Sequence, residues 1–233
     1  MSTTKDLRAT ADRLIELHEE GDLDAVLHLA DELAEEAGAH LDEDEVARES
    51  LFVARFQRAM ALTERQELDA AAEAYGEAAA TPTDPDDPDQ RHEVAMALLH
   101  RGMCLDAIGE TGRARDAYAE VVARFGDADD PVTRDQVVRA RVNQAAGQLA
   151  DGEVEAALTA ADDLRAALDP AAPLDGEQWL LASRIRAAAL RALGRPDEAV
   201  ATLQRAVALE ADDPAVVEQR EQAAADLAEL GDG

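Results

Sequence analysis

The fold is decided by the stretch Leu193-Gly-Arg-Pro-Asp-Glu-Ala-Val-Ala-Thr-Leu-Gln-Arg-Ala-Val-Ala-Leu209. Gly194 and Pro196 interrupt the helical pattern, because glycine has unusual backbone freedom and proline has no N–H to donate. After them, apolar residues recur at offsets of 4, 7 and 8 from Ala199, which places them on one face of a helix. The stretch therefore predicts a turn followed by an amphipathic helix.

The same pattern returns along the chain with a period of about 42 residues. Two series of helix-ending residues share this period, and they align as Pro88, Pro131, Pro173 and Pro214 and as Gly112, Gly152 and Gly194. Apolar stripes follow the turns, in copies such as Ala71-Tyr75-Ala78, Ala117-Val121-Phe125, Ala157-Ala161-Leu164 and Ala199-Leu203-Ala206. Each unit is long enough for two helices joined by a turn, so the sequence predicts a helical repeat.

Composition favours helix throughout the chain. There are 53 Ala, and aromatic residues make up only 3% of the sequence, which disfavours strands. We therefore predict an all-α chain with helix pairs over 5–38, 43–81, 90–125, 132–168 and 175–210 and a capping helix over 214–230. The acidic, proline-rich segment 81–89 is the loop least suited to order. Because the repeat continues across it, we expect one domain over residues 1–233.

These residues resemble the second half of a tetratricopeptide repeat (TPR). The resemblance rests on Gly-x-x-x-x-Ala, a large residue four positions later, Ala seven positions later and a proline at the end of the unit. Residues 193–209 match best and 108–125 next, although the units are 40 to 46 residues long instead of the usual 34. The resemblance implies an α-α superhelix, or solenoid, of about five hairpins plus a C-terminal cap. It also implies protein binding in a groove lined by the first helices.

The charge excludes several partners. The chain carries 52 Asp and Glu against 22 Lys and Arg, a net charge of −30, so we expect no nucleic acid on its outer surface and no anionic membrane partner. No run of 18 uncharged apolar residues is present, which excludes a membrane span. Charges are spread through the first twenty residues without an apolar signal core. We therefore expect a cytoplasmic protein.

Motifs that carry catalysis or bind cofactors are missing from the sequence. A glycine-rich phosphate loop needs a Lys in the motif, and Lys5 is the only Lys. Cys104 stands in an apolar helix, where a buried and inert thiol is expected. The five His lack the spacing that places two metal ligands on one helix face, and the acidic loop 84–89 lacks the glycine of a calcium loop. The sequence predicts no enzyme, no cofactor and no metal.

The charge is unevenly distributed between the two helices of each repeat. Four windows in first helices carry an excess of arginine: 46–62 (+2), 94–105 (+1), 136–150 (+2) and 178–196 (+4). With the groove that the resemblance implies, Arg139, Asn143, Arg184 and Arg191 become candidates to bind an acidic or carboxylate-bearing peptide. In the alternative, the arginines pair with acids on neighbouring second helices, as Arg184 could with Glu153 or Asp162. Arg184 and Arg186 cannot share a face, because they are two residues apart on a helix.

Two functions stay open at this point. The first is a non-enzymatic scaffold or adaptor that binds a protein or peptide, as a monomer or with weak self-association. The alternative is a regulatory repeat domain that senses a peptide or small ligand. The acidity also fits salt adaptation, in which case stability rises from low to molar KCl, and a melting temperature that does not change with salt would contradict this explanation.

Overall fold

The chain is described by a computed structural model over residues 4–41, 45–82, 84, 87–172, 174–210 and 212–231. The regular secondary structure of these residues is helix, with no strand among them, so the all-α prediction is confirmed. Its helices are α1 (Thr4–Glu19), α2 (Leu23–Gly38), α3 (Glu45–Glu64), α4 (Leu68–Ala79), α5 (Pro88–Ala107), α6 (Thr111–Phe125), α7 (Pro131–Ala150), α8 (Val154–Ala167), α9 (Gly176–Ala192), α10 (Pro196–Val207) and α11 (Pro214–Gly231).

Each predicted helix pair, and the predicted capping helix, begins and ends within three residues of the described helices. The predicted start at residue 43, and residues 83, 85 and 86 of the predicted loop, lie outside the described residues. The chain divides into two compact units, residues up to Gln136 (unit 1) and residues from Val137 onward (unit 2), and the division falls within α7. The prediction of a single domain over residues 1–233 stays a prediction.

A left-handed residue marks the turn inside each of the five hairpins. These residues are Gly21, Gln66, Gly109, Gly152 and Gly194, with φ between 62° and 82°. Each stands two positions before a second helix, at α2, α4, α6, α8 and α10. Glycine adopts this conformation without a steric penalty, and at Gln66 the side-chain amide donates to the Thr63 carbonyl, 3.3 Å away. The repeat period is therefore the spacing between successive left-handed residues.

The predicted alignment of the third hairpin is wrong by three residues. Gly112 lies inside the first turn of α6, and Gly109 is the residue in the left-handed conformation. The small residue equivalent to Ala157 and Ala199 is consequently Ala114, not Ala117, although both are buried. Two glycines three residues apart explain the error, since backbone conformation and not glycine itself defines the turn.

In unit 1, leucines and aromatic rings fill the space between the helices. The core around α1 to α3 contains Leu7, Leu14, Val26, Leu33 and Leu51, each at most 2% exposed. Further along, the Phe56 ring contacts Tyr75 (centroids 5.4 Å apart) and His100 (6.0 Å). Cys104 is buried, as predicted, and burial raises the pKa of its thiol. The thiol therefore stays protonated and unreactive at neutral pH.

In unit 2, two smaller clusters hold the helices together. The first joins α9, α10 and α11 through Leu180, Leu190, Leu203, Val216 and Ala223. The second joins α7, α8 and α9 through Val138, Val142, Ala145, Leu164 and Ala182. The predicted apolar faces of α8 and α10 are thus buried, and alanine supplies much of the contact between neighbouring helices.

α11 closes the C-terminal end of unit 2. It packs on α9 and α10 with Val216 and Ala223 buried, while Glu218, Glu221 and Gln222 are exposed. A polar outer face is typical of a repeat array that ends there. The predicted capping helix is therefore present.

Candidate interaction groove

A groove lies between the helices α7, α9 and α11. Its volume is about 370 Å³, and its lining includes Val142, Asn143, Ala146, Leu149, Leu181, Arg184, Ile185, Ala188, Arg191, Asp226, Glu229 and Leu230. This set combines an apolar floor with a few charged and amide groups. We call it the α7–α9–α11 groove.

The repeat itself brings the three helices side by side. α7 and α9 are the first helices of consecutive hairpins, and α11 follows α10 in the position that the next first helix would take. Val142 and Ala145 of α7 pack with Ala182 of α9 on one side, and Leu190 of α9 packs with Ala223 of α11 on the other. The small alanines permit a close approach of the backbones, and the larger residues one turn away form the groove floor.

Arg184 is fixed at the groove by two contacts with the terminal helix. Its Nε donates to Asp226 Oδ2 at 2.7 Å, and its Nη1 donates to Gln219 Oε1 at 3.1 Å. The side chains of Arg184 and Asp226 are 28% and 37% exposed, so water screens the pair only in part. The pair cancels the charge of Arg184 locally and holds its guanidinium in one orientation.

Arg191 and Asn143 line the same groove but, unlike Arg184, have no side-chain partner among the described residues. Arg191 is exposed and, within the described part of the chain, forms no ion pair. The Asn143 amide is half-buried and forms no hydrogen bond to another described residue. Both side chains therefore have donors available for a bound molecule.

Arg139, the fourth candidate, does not line the groove. It forms an ion pair with Glu177 at the start of α9, with Nη2 and Oε2 3.6 Å apart. The groove thus contains three of the four candidates from the sequence. Arg139 instead links α7 to α9 through its ion pair with Glu177.

The predicted partners of Arg184 are wrong, and the reason is the direction of its side chain. Arg184 contacts α11 and neither Glu153 nor Asp162, whereas Asp162 pairs with Arg186, whose Nε lies 2.6 Å from Oδ1. The two arginines point to opposite sides of α9, as their spacing predicts.

In unit 1 the basic windows serve packing between helices. Arg58 pairs with Asp31 on α2, with Nε and Oδ1 3.0 Å apart. Arg55 donates to the Glu77 carbonyl on α4 at 3.0 Å. These arginines therefore follow the alternative to a binding groove, in which arginines pair with neighbouring helices. A groove arginine without an ion pair to any described residue, Arg191, is found in unit 2.

Asp226 and Glu229 are groove residues that the sequence reasoning missed. The sequence predicts only a capping role for the terminal helix, which does not bring the acids on its polar face into the site. The charges at the groove consequently balance, with Arg184 and Arg191 against Asp226 and Glu229. A signal was present in the sequence, since Asp226 follows Arg184 by 42 residues, which is one period of the repeat.

The arrangement is suited to binding. Among the described residues, no cluster of three His, Cys, Asp or Glu side chains could hold a metal ion. Of the helices described, none is both long and apolar enough to cross a bilayer. The groove offers apolar contact and hydrogen-bond donors, which are the features of a recognition surface.

Comparison with known proteins supports the fold predicted from the sequence. A family model of the tetratricopeptide repeat matches residues 180–225, which run from α9 into α11. Two crystal structures of a Podosopora anserina protein assigned as a kinesin light chain, with nearly identical TPR-like repeats, share the fold. A single-substitution variant superposes with a TM-score of 0.61 at 17% identity, covering 88% of this chain and 94% of its own. The other gives 0.60 at 16%, covering 97% and 98%. No curated protein sequence matches the chain.

The predicted resemblance to tetratricopeptide repeats is therefore confirmed. The chain has a TPR-like solenoid fold built of helical hairpins. Folds of this class generally serve as scaffolds for protein–protein interaction and are typically not catalytic.

Proposed function

We propose that the chain is a scaffold or adaptor, and that its α7–α9–α11 groove binds an apolar peptide segment carrying an acidic side chain. The observation that carries the proposal is the presence of Arg191 and Asn143, with donors available, beside an apolar floor. Binding an apolar segment removes surface from water, and the charge-assisted contact fixes its register. The proposal includes the cytoplasmic location and the monomeric or weakly associating state expected from the sequence.

The charges at the groove limit how many acidic side chains the predicted partner can carry. A strongly acidic peptide would meet Asp226 and Glu229 as well as the overall charge of −30, and such contacts are repulsive. A single carboxylate placed at Arg191 avoids this repulsion. We therefore expect a mostly apolar partner segment with one well-placed Asp or Glu.

Affinity capture with matched variants tests the proposal. Ala146 is exposed and lines the groove, so Ala146→Arg fills the groove without disturbing the core. Ala156 is exposed on α8 outside the groove lining, so Ala156→Arg makes the same chemical change as a control. We expect Ala146→Arg to reduce recovery of a stoichiometric partner at least about tenfold. Equal recovery by the two variants would contradict the proposal.

The alternative of a ligand-sensing domain is supported by the size of the groove. A volume of about 370 Å³ lies within the range of small-molecule sites. This alternative predicts that wild type captures no stoichiometric protein, and that a short peptide or small ligand raises its melting temperature. Ala146→Arg would abolish that rise and Ala156→Arg would preserve it.

A further inference from the structure

A cluster of arginines lies on the side of α9 away from the groove. Arg165 comes from α8, Arg186 from α9 and Arg205 from α10. Arg186 reaches both neighbouring helices, because it pairs with Asp162 on α8 and also donates to the Thr202 hydroxyl on α10. Arg205 lies one turn beyond Thr202 and therefore on the same face of α10.

Neutral acceptors and an aromatic ring hold Arg165 in place. Its Nε donates to Ser183 Oγ at 2.9 Å, and the Ser183 hydroxyl in turn donates to the Trp179 carbonyl at 2.8 Å. The guanidinium carbon lies 4.8 Å from the centre of the Trp179 ring, a cation–π distance. None of these partners carries a negative charge, so Arg165 is oriented without being neutralised.

The positive charge of the cluster is only partly compensated. Burial lowers the pKa of Arg165, and the neighbouring charges of Arg186 and Arg205 lower it further, against an opposing effect of Asp162. Arg205 is exposed and forms no ion pair with any described residue. Asp162 is the carboxylate paired to the cluster, and Glu198, which also lies near Arg186, is itself paired with Arg195. About two positive charges are therefore left over in a chain of net charge −30. Guanidiniums that repel one another and are already positioned are suited to receive an anion.

We propose that the cluster of Arg165, Arg186 and Arg205 binds a phosphate group. A phosphate carries close to two negative charges at neutral pH, which match the leftover charge, and its several oxygens can accept from more than one guanidinium. A carboxylate would neutralise only one charge and would accept fewer hydrogen bonds than a phosphate. This site goes beyond the proposed function, because it lies on the opposite side of α9 from the groove.

The chain provides its own reporter for this site. Trp179 is the single Trp, and it stacks against Arg165. We therefore titrate the full chain with inorganic phosphate at pH 8, with NaCl adjusted to keep the ionic strength constant, and follow Trp179 fluorescence and the melting temperature. The expected result is a saturable fluorescence change and a higher melting temperature.

Two matched variants separate a phosphate site from general electrostatics. Arg205→Gln and Arg141→Gln each remove one exposed arginine that forms no ion pair with a described residue, but only the first lies in the cluster, and Arg141 is also outside the groove lining. We expect Arg205→Gln to weaken phosphate binding about tenfold and Arg141→Gln to change it less than about twofold. A wild type that responds to phosphate as it does to chloride would overturn the proposal, as would equal weakening by both variants.

The source of the phosphate is resolved by a second titration. A phosphoserine tripeptide presents the same oxygens as inorganic phosphate but also mimics a modified partner. Tighter binding of the tripeptide assigns the site to a phosphorylated protein, and tighter binding of inorganic phosphate assigns it to the free ion. Loss of this site would leave capture through the groove unchanged, so the two proposals fail independently.

Discussion

Units 1 and 2 use the same helical hairpin but fill it with different side chains. The three Phe and two Tyr of the chain all lie in unit 1, and unit 2 contains one aromatic residue, Trp179. In unit 1 the rings occupy the space between helices, as Phe56 does between Tyr75 and His100. In unit 2 alanine and leucine make the close contacts, and arginines bridge the helices at the edges.

The difference indicates how one repeat can serve two purposes. Rings packed between helices leave little room for another molecule and stabilise the hairpins. Small side chains leave the α7–α9–α11 groove open, and guanidiniums at its rim and on the opposite side of α9 supply polar contacts. Unit 1 is thus packed mainly by aromatic rings, and we propose that unit 2 combines packing with surfaces for recognition.

The largest expected effect is the loss of an aromatic ring from unit 1. Phe56→Ala removes a side chain that is 8% exposed, and we expect a loss of about 3 to 4 kcal/mol in the free energy of unfolding. Trp179→Ala removes a half-buried ring from unit 2, and about 2 kcal/mol is expected. Urea unfolding followed by circular dichroism measures both, and a larger loss for Trp179→Ala would contradict the contrast.

Two helical glycines should respond in opposite directions to alanine. A Cβ on Gly102 of α5 would overlap Cε1 of Tyr118, a buried ring whose hydroxyl donates to Asp106 Oδ2 at 2.8 Å. Gly102→Ala should therefore destabilise the chain by about 1 to 2 kcal/mol. A Cβ on Gly147 of α7 meets no atom within 4 Å, so Gly147→Ala should stabilise it by about 1 kcal/mol. Thermal unfolding of the pair tests this prediction, and changes of the same sign would contradict it.

The smallest expected effect depends on pH. Burial, with the nearby charges of Glu49, Asp87 and Asp89, raises the pKa of Glu93 in α5 from 4.5 to about 7. The folded chain therefore keeps this proton to higher pH than the unfolded chain, so stability falls as pH rises from about 4.5 to about 7. In unit 2, by contrast, Asp162 and Asp226 are each paired with an arginine.

Glu93→Gln should remove this loss of stability. Because the side chain is only half-buried and solvent screens its charge, we expect a gain of about 1 kcal/mol over wild type at pH 8 and none at pH 4. Urea unfolding at the two pH values measures the difference. A gain of equal size at both pH values would show that the substitution acts through packing and not through the charge.

Much of the fold follows from periodicity. Turn residues and apolar stripes place eleven helices in the described residues, because local backbone preference and burial act in the same direction there. The prediction misplaces the third turn because a pattern of residue types cannot distinguish Gly109 from Gly112. Only the backbone conformation, which is left-handed at Gly109, shows which glycine forms the turn.

The candidate site was less accessible from sequence, although the repeat period also predicts some contacts between neighbouring units. Asp226 lies beside Arg184 at a separation of 42 residues, and Arg65 beside Asp24 at 41. Which side chain within a helix pairs with which partner depends on rotamers and on the distance between helices, as the contacts of Arg139 and Arg186 illustrate. The basic windows indicate α7 and α9, two of the three helices of the groove, but neither α11 nor the acids that balance the arginines.

The most direct test of the central claim is site-specific photo-crosslinking in the groove. A benzoylphenylalanine is placed at Ala146, which lines the groove, or at Ala156, which is exposed on α8 outside it. The interaction-groove account predicts a discrete crosslinked partner from position 146 and none from position 156. A partner that crosslinks only from position 156, or equally from both, would contradict it.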